Sequence, residues 1–310
     1  MEVLWGLKGI KKKENSVLTV GTFDGLHLGH QYILDEVTRR ATVNNLLSTL
    51  VTFHPHPKFI VGCKDNFKIN LLTPIHEKIN ILQQKKLDRL VIINFTREFS
   101  QKTSREFVEE VLFGAVGFKE LIIGYDHAFG KNREGNFKTL SEIAQRLGFL
   151  VTELSAFSNE KFVISSTRIR NMLYEGEVSQ AAKALGRLYS ITGKVVEGHG
   201  KGKLLEFPTA NLEVEDEHKL IPADGVYAVY ININSQRFKG MMNIGNRPTF
   251  PSAEHTLEVN IFDFDEDIYG ESVTVEFVQR LRAEKQFENK QDLVNQLKSD
   301  KETTVKILNN

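Results

Sequence analysis

The chain has 310 residues, 41% apolar and 26% charged, which is the balance of a soluble globular protein long enough for two domains. Its 40 Lys and Arg side chains balance 40 Asp and Glu. No global field therefore draws it onto nucleic acid or an anionic membrane, and any phosphate-binding patch has to be local. Cys63 is the only cysteine, which excludes an internal disulfide and a Cys-based zinc site and suits a reducing cytosol. Residues 1–13 hold Trp5 and four lysines without an apolar segment of signal-peptide length, and no later stretch approaches membrane-span length. A cytoplasmic protein is expected.

Through about residue 186, short apolar runs alternate with helical patterns. Strands are predicted over 17–20, 47–53, 90–95, 121–124 and 149–154, and helices over 30–44, 74–84, 104–113 and 140–147. Ile33, Leu34, Val37 and Ala41 fall on one face of the first helix. Thr73, Pro74 and Glu77 predict a helix start with Thr73 as the cap and proline at the first helical position. Such alternation argues for a parallel sheet covered on both faces. After Gly186 the period changes to two, as at Tyr227, Val229, Ile231 and Ile233, and at Val273, Val275 and Phe277. Similar stretches at 190–196, 238–244 and 257–264 bring the total to six or so antiparallel strands, enough for a small β-barrel. A polar helix over about 289–308 closes the chain. The switch of period divides the sequence into domains 1–186 and 187–310.

The first strand runs into Gly21-Thr22-Phe23-Asp24-Gly25-Leu26-His27-Leu28-Gly29-His30, and a helix begins at about Gly29. Free backbone N–H groups and the positive end of the helix dipole make this junction an anion site, which the glycines let phosphate oxygens approach. His27 and His30 stand at its mouth as donors toward an α-phosphate and a leaving pyrophosphate. An isolated His-x-x-His is more often a pair of ordinary turn residues. Placement at a strand-to-helix turn with glycine on both sides favours the anion site.

The segment resembles the Gly-x-Phe-Asp-Gly-x-His-x-Gly-His signature of the nucleotidyltransferase superfamily, and specifically bacterial bifunctional riboflavin kinase/FAD synthetases. Phe53-His54-Pro55-His56-Pro57 is similar to that family's Phe-x-Pro-His-Pro loop. Residues 123–130, which include Asp126, resemble its Gly-x-Asp-x-x-Phe-Gly segment, and Ile164 to Arg170 resemble its Ser-Ser-Thr segment opening a helix. The resemblance implies a Rossmann-like α/β nucleotidyltransferase domain followed by an antiparallel barrel. It implies that Gly21, Phe23, Asp24, Gly25, Gly29, Asp126, Ser165, Ser166 and Thr167 hold the nucleotide. Ligands of open parallel sheets bind beyond the carboxyl ends of the strands, where these segments fall. Ser165, Ser166 and Thr167 can cap a helix and donate to phosphate, and Arg168 can neutralise a triphosphate. A Ser-Ser-Thr run is equally the signature of a plain cap. His127 stands where the family usually has an aromatic residue.

In the second half, Gly198, Gly200 and Gly202 form a loop able to wrap phosphates, although such a loop is also what a hairpin tip looks like. Thr209 and Asn211 lie two apart on an extended segment and offer hard oxygens suited to Mg²⁺ beside a nucleotide. With Phe207-Pro208-Thr209-Ala210-Asn211 the stretch resembles the riboflavin kinase signature, with Pro208 at the nucleotide and Glu206 in place of the usual glycine. The resemblance makes Glu258 the general base for the riboflavin ribityl hydroxyl and sets Phe287 against the flavin ring.

The expected activities are phosphorylation of riboflavin to FMN by the C-terminal half and adenylylation of FMN to FAD by the N-terminal half. Both use ATP with Mg²⁺. The expected partners are small molecules rather than nucleic acid or membrane, on a monomer or weak homo-oligomer. Two other readings stay open on the residues alone. One is a different nucleotidyltransferase with the same signature and an accessory barrel, against which residues 207–211 argue. The other is a flavin-binding regulator with one decayed site, which His127 and Glu206 keep open.

Overall fold

The computed structural model describes residues 1–10, 15–62, 69–125, 128–155, 157–159, 162–197, 207–246 and 255–309. The chain forms two compact units, Met1–Ser165 and Ser166–Asn310.

The first unit is built on a six-stranded parallel sheet: β1 (Glu2–Trp5), β2 (Ser16–Val20), β3 (Leu47–His54), β4 (Arg89–Asn94), β5 (Glu120–Gly124) and β6 (Leu150–Leu154), in the order β1-β4-β3-β2-β5-β6. The central strands read as unbroken apolar runs because both faces are covered. Leu18, Val20, Val51, Val91 and Ile93 pack on one side with Val108, Val111, Leu112, Leu140 and Ile143. These come from α4 (Ser104–Glu106), continued by a π-helix over Phe107–Val116, and from α5 (Phe137–Leu147). On the other side Leu50, Leu90 and Ile92 meet Leu34 of α1 (Leu28–Asn44) and Ile75 and Leu82 of α3 (Ile75–Gln83), and Val17 meets Val37 and Ala41. The short α2 (Pro57–Val61) follows β3, and β7 (Ser158–Asn159) pairs with β8 (Phe162–Val163).

Three local expectations are corrected. The predicted helix over 104–113 becomes a π-helix after its first turn, where the Gly117 N–H reaches back five residues to the Leu112 carbonyl at 2.8 Å. Strand β1 was not expected; it is a four-residue edge strand whose apolar run, Val3-Leu4-Trp5, is short and only partly buried, with Trp5 54% exposed. Thr73 does not cap α3. Pro74 occupies that position with no side-chain cap, because the Thr73 hydroxyl is taken by the Gly25 N–H at 2.8 Å.

The second unit opens with α6 (Ser166–Tyr174) and α7 (Val178–Leu185), and α7 packs on the barrel strands β9 and β14. The barrel comprises β9 (Tyr189–Val196), β10 (Ala210–Val214), β11 (Gly225–Ile233), β12 (Gln236–Asn246), β13 (His255–Ile261) and β14 (Ser272–Arg282), closed antiparallel in the order β10-β13-β12-β11-β14-β9. Closure leaves no free sheet edge. Alternation puts Val195, Leu212, Val259, Met242 and Ile244 into the core. α8 (Lys290–Asn309) packs on β11, β12 and β14, where Met241 of β12 and Phe262, just past β13, lie with Phe207, Leu297 and Val305.

Candidate active sites

In the parallel sheet β2 lies between β3 and β5, so the strand order reverses at β2, and the Gly21–His30 loop leaves its carboxyl end. Such a reversal opens the crevice in which open α/β sheets bind ligands. The loop is wound tightly, with positive φ at Phe23 (47°), Gly25 (89°) and Leu26 (43°), and a non-glycine residue in that region is strained. The following structure holds it. The buried Asp24 carboxylate accepts from the N–H groups of Leu72 (3.2 Å) and Thr73 (2.9 Å), and the Lys78 Nζ donates to the Thr22 carbonyl at 2.6 Å. Phe23 and Leu26 drop into the core beneath, and the Gly21 N–H donates to the Val51 carbonyl at 3.1 Å.

His27 is the N-cap of α1, and its Nδ1 accepts from the His30 N–H at 3.3 Å, which leaves the imidazole proton on Nε2. The two rings stack with centroids 3.7 Å apart, and Phe23 lies 4.7 Å from the His30 ring. Glycine at 29 leaves room for this pair, since a Cβ there would press to within 3.2 Å of the His27 ring. Burial first, then electrostatic repulsion from His27 and Lys78, which makes a proton on His30 still less favourable, hold His30 well below the usual histidine range, so it is a neutral donor at pH 7. Its Nδ1 is buried with no hydrogen-bond partner among the described residues.

Of the other nucleotide candidates, Asp126 lies outside the described residues, as does the departure at His127. Ser165 ends the first unit. Ser166, Thr167 and Arg168 open α6, with Thr167 and Arg168 exposed while Ile169 and Arg170 turn inward.

On the barrel, the register brings together residues far apart in sequence. Glu258 of β13 stands opposite Asn211 of β10 on one side and Asn243 of β12 on the other, so three polar side chains form a row on the outward face. Glu258 and Asn211 are half-buried. Thr209 immediately precedes β10, and the exposed Pro208 offers its carbonyl to the Asn260 Nδ2 at 2.6 Å. Gly198, Gly200, Gly202 and Glu206 lie outside the described residues. Past β14 the half-buried Phe287 lines a cavity of ≈ 470 Å³ with Lys285, Asp292, Asn295, Gln296 and Ser299. Arg282 forms a forked pair with the buried Asp300 of α8 (3.0 and 2.8 Å) and reaches within 5.9 Å of the Phe287 ring.

Thr73 and Lys78 at the first site, and Asn243 and Glu284 at the second, were not assigned to a site from the sequence. Glu284 lies against the outward face of β12, where a Cβ on Gly245 would fall 1.8 Å from its carboxylate. Lys78 left a signal: with Ile75 and Leu82 it sits on the buried stripe of α3, where a charge is out of place. Thr73, Asn243 and Glu284 left none, because their partners are set by strand register or distant loops.

A parallel sheet with a histidine pair at its switch point, and a closed barrel with Glu258 between two asparagines on its outward face, suit a two-domain nucleotide-dependent transferase. The FAD synthetase family model matches residues 9–168 and the riboflavin kinase family model residues 185–308. Two bifunctional riboflavin kinase/FMN adenylyltransferases match throughout. That of Buchnera aphidicola subsp. Schizaphis graminum is 37% identical, covering 100% of this chain and 99% of the relative, and that of Bacillus subtilis is 32% identical, covering 97% and 95%. The crystal structure of a macrolide-efflux protein from Streptococcus pneumoniae is similar with a TM-score of 0.89 and 32% identity, over 98% of this chain and 99% of that one. Among the described residues no helix is long and apolar enough to cross a membrane. The chain belongs to the bifunctional riboflavin kinase/FMN adenylyltransferase family, with the FAD synthetase domain first and the riboflavin kinase domain second.

Proposed function

We propose that this chain makes FMN and FAD from riboflavin at two separate sites, adenylylating FMN at the His27–His30 mouth and phosphorylating riboflavin at Glu258. One observation carries the assignment: the two family matches are separate, the first spanning His27 and His30 and the second spanning Glu258. The functional division is placed at residues 1–186 and 187–310, and the chain in the cytoplasm.

In adenylyl transfer an FMN phosphate oxygen attacks the α-phosphorus of ATP. A new O–P bond forms, the bond to the bridging α–β oxygen breaks, and pyrophosphate leaves. His27 and His30 donate hydrogen bonds to the phosphate oxygens as charge grows on them, and no covalent enzyme intermediate is required. Asp24 and Gly25 fix the loop. Ser165, Ser166, Thr167 and Arg168 are assigned to the triphosphate on their sequence match.

In the kinase step the ribityl hydroxyl attacks the γ-phosphorus, the bond to the β–γ bridging oxygen breaks with departure of ADP, and Glu258 takes the hydroxyl proton. Thr209 and the half-buried Asn211 beside Glu258 form a hard-oxygen set that fits Mg²⁺, an ion that takes few protein ligands and binds largely through phosphates and water. When bound there, Mg²⁺ offsets charge on the phosphates. Phe287 and the cavity beside α8 receive the flavin ring. Incubating the chain with riboflavin, ATP and Mg²⁺ and separating the flavins by chromatography tests the assignment. FMN followed by FAD is expected, and unchanged riboflavin would refute it.

A further inference from the structure

We propose that Lys78 is a positioning residue for adenylyl transfer, tying down the Thr22 end of the nucleotide loop and keeping a positive charge beneath the His27–His30 pair. The inference rests on placing adenylyl transfer at those histidines.

Lys78 is 5% exposed on a helix face otherwise given to Ile75 and Leu82. A buried ammonium is unfavourable unless something uses it. Its hydrogen bond from Nζ to the Thr22 carbonyl at 2.6 Å is not needed to satisfy that carbonyl, which also accepts from the Thr52 hydroxyl at 3.2 Å. What Lys78 adds is position and charge. With Asp24 bound to Leu72 and Thr73, and Gly25 to Thr73, it is the fourth tie from residues 72–78 to the loop with positive φ at Phe23, Gly25 and Leu26. Its charge also reaches the mouth, because it is one of the groups that keep His30 unprotonated. The charged and titratable groups acting on this cluster are Asp24 from the loop and His27 and His30 from α1. A fixed cation there favours the phosphates that the neutral histidines hydrogen-bond.

Burial lowers the Lys78 pKa to about 8, against the opposing pull of Asp24. The test measures kcat/KM for FAD formation from FMN by the full chain between pH 6.5 and 9.5. The wild type is expected to lose activity above about pH 8. Lys78→Met should be about 10- to 100-fold slower at pH 7, the loss typical of a displaced or unsupported reacting group. It should lose the alkaline fall, melt no lower than the wild type and phosphorylate riboflavin normally. Lys78→Arg, which cannot deprotonate, should restore activity at pH 7 and stay flat to pH 9.5. A wild type with no fall near pH 8 overturns the proposal, as does a Lys78→Met chain with full FAD formation or a Lys78→Arg chain that keeps the fall. If Lys78→Met does not fold, the wild-type and Arg profiles decide. Full FAD formation by His30→Ala would instead sink the placement of the site itself.

Discussion

At the residue scale, the first site uses histidines in a way that a simple count of cations would miss. His27 has its Nδ1 occupied by the His30 N–H, and His30 is held neutral by burial, so both rings act as donors rather than charges. Removing one positioned donor commonly costs about 10² to 10³ in rate. His30→Ala should therefore form FAD at least about a hundredfold more slowly while riboflavin phosphorylation is unchanged, and equal losses in both steps would contradict the assignment. Because the folded pKa of His30 is depressed, its contribution to stability is present above pH 6.5 and is lost as pH falls.

Lys78 is depressed in the same sense, from 10.5 to about 8. Its contribution is fully present above pH 10.5 and is lost as pH falls through about 8. Near pH 7 the folded chain carries a penalty of about 3 kcal/mol for burying the charge, taking about 1.4 kcal/mol per pH unit. Denaturation of Lys78→Met against the wild type should show the variant gaining most below pH 8, with the advantage shrinking as pH approaches 10.5. A difference that does not vary with pH would mean that folding leaves the Lys78 pKa at its unfolded value.

At the scale of elements, α8 and the segment after β14 act as one piece. Asp300 is 4% exposed and receives the Arg282 fork together with the Gln296 amide at 2.9 Å. Arg282 in turn reaches toward Phe287 at the cavity assigned to the flavin. Asp300→Ala leaves a partly buried guanidinium without its carboxylate, and breaking such a pair costs about 3–5 kcal/mol. The barrel should be destabilised in that range or somewhat below it, and the kinase KM for riboflavin should rise with the FMN-to-FAD step untouched. An unaltered riboflavin KM in the folded variant would separate α8 from the flavin site.

The same elements show what was legible beforehand. Central strands such as Val17–Val20 announce themselves because burial on both faces leaves an apolar run, and barrel strands such as β9 and β14 because only one face is fully buried. The histidine loop was legible because its residues are contiguous. The ties that hold it were not: Thr73 reaches Gly25 across 48 positions and Lys78 reaches Thr22 across 56. Thr73 was read as a helix cap because locally nothing distinguishes a capping hydroxyl from one recruited by a distant loop. Glu258 was singled out by resemblance, whereas Asn243 beside it needed the strand register.

At the scale of the whole molecule, the compact units divide at Ser165/Ser166, whereas the riboflavin kinase match begins at residue 185. The α6–α7 pair lies in between and is fastened to the second unit. Arg280 of β14 donates to the Glu175 carbonyl at 3.4 Å, Ser179 to the Val278 carbonyl at 2.9 Å, and the Ala223 N–H to the Leu173 carbonyl at 3.0 Å. Leu173, Val178, Ala181 and Leu185 are fully buried. A fragment of residues 166–310 should therefore phosphorylate riboflavin and melt higher than one of residues 187–310. Equal melting temperatures would show that α6 and α7 add nothing to the barrel.

The central claim is that two independent sites on one chain act in succession, and crossed single substitutions test it most directly. Supplied with riboflavin, ATP and Mg²⁺, His30→Ala should accumulate FMN with almost no FAD. Glu258→Gln should leave riboflavin largely untouched, general-base assistance being worth about 10² to 10⁴ in rate, yet convert added FMN to FAD as fast as the wild type. Loss of both products by His30→Ala, failure of Glu258→Gln to convert added FMN, or formation of both products from riboflavin at the wild-type rate by either variant, would contradict the account.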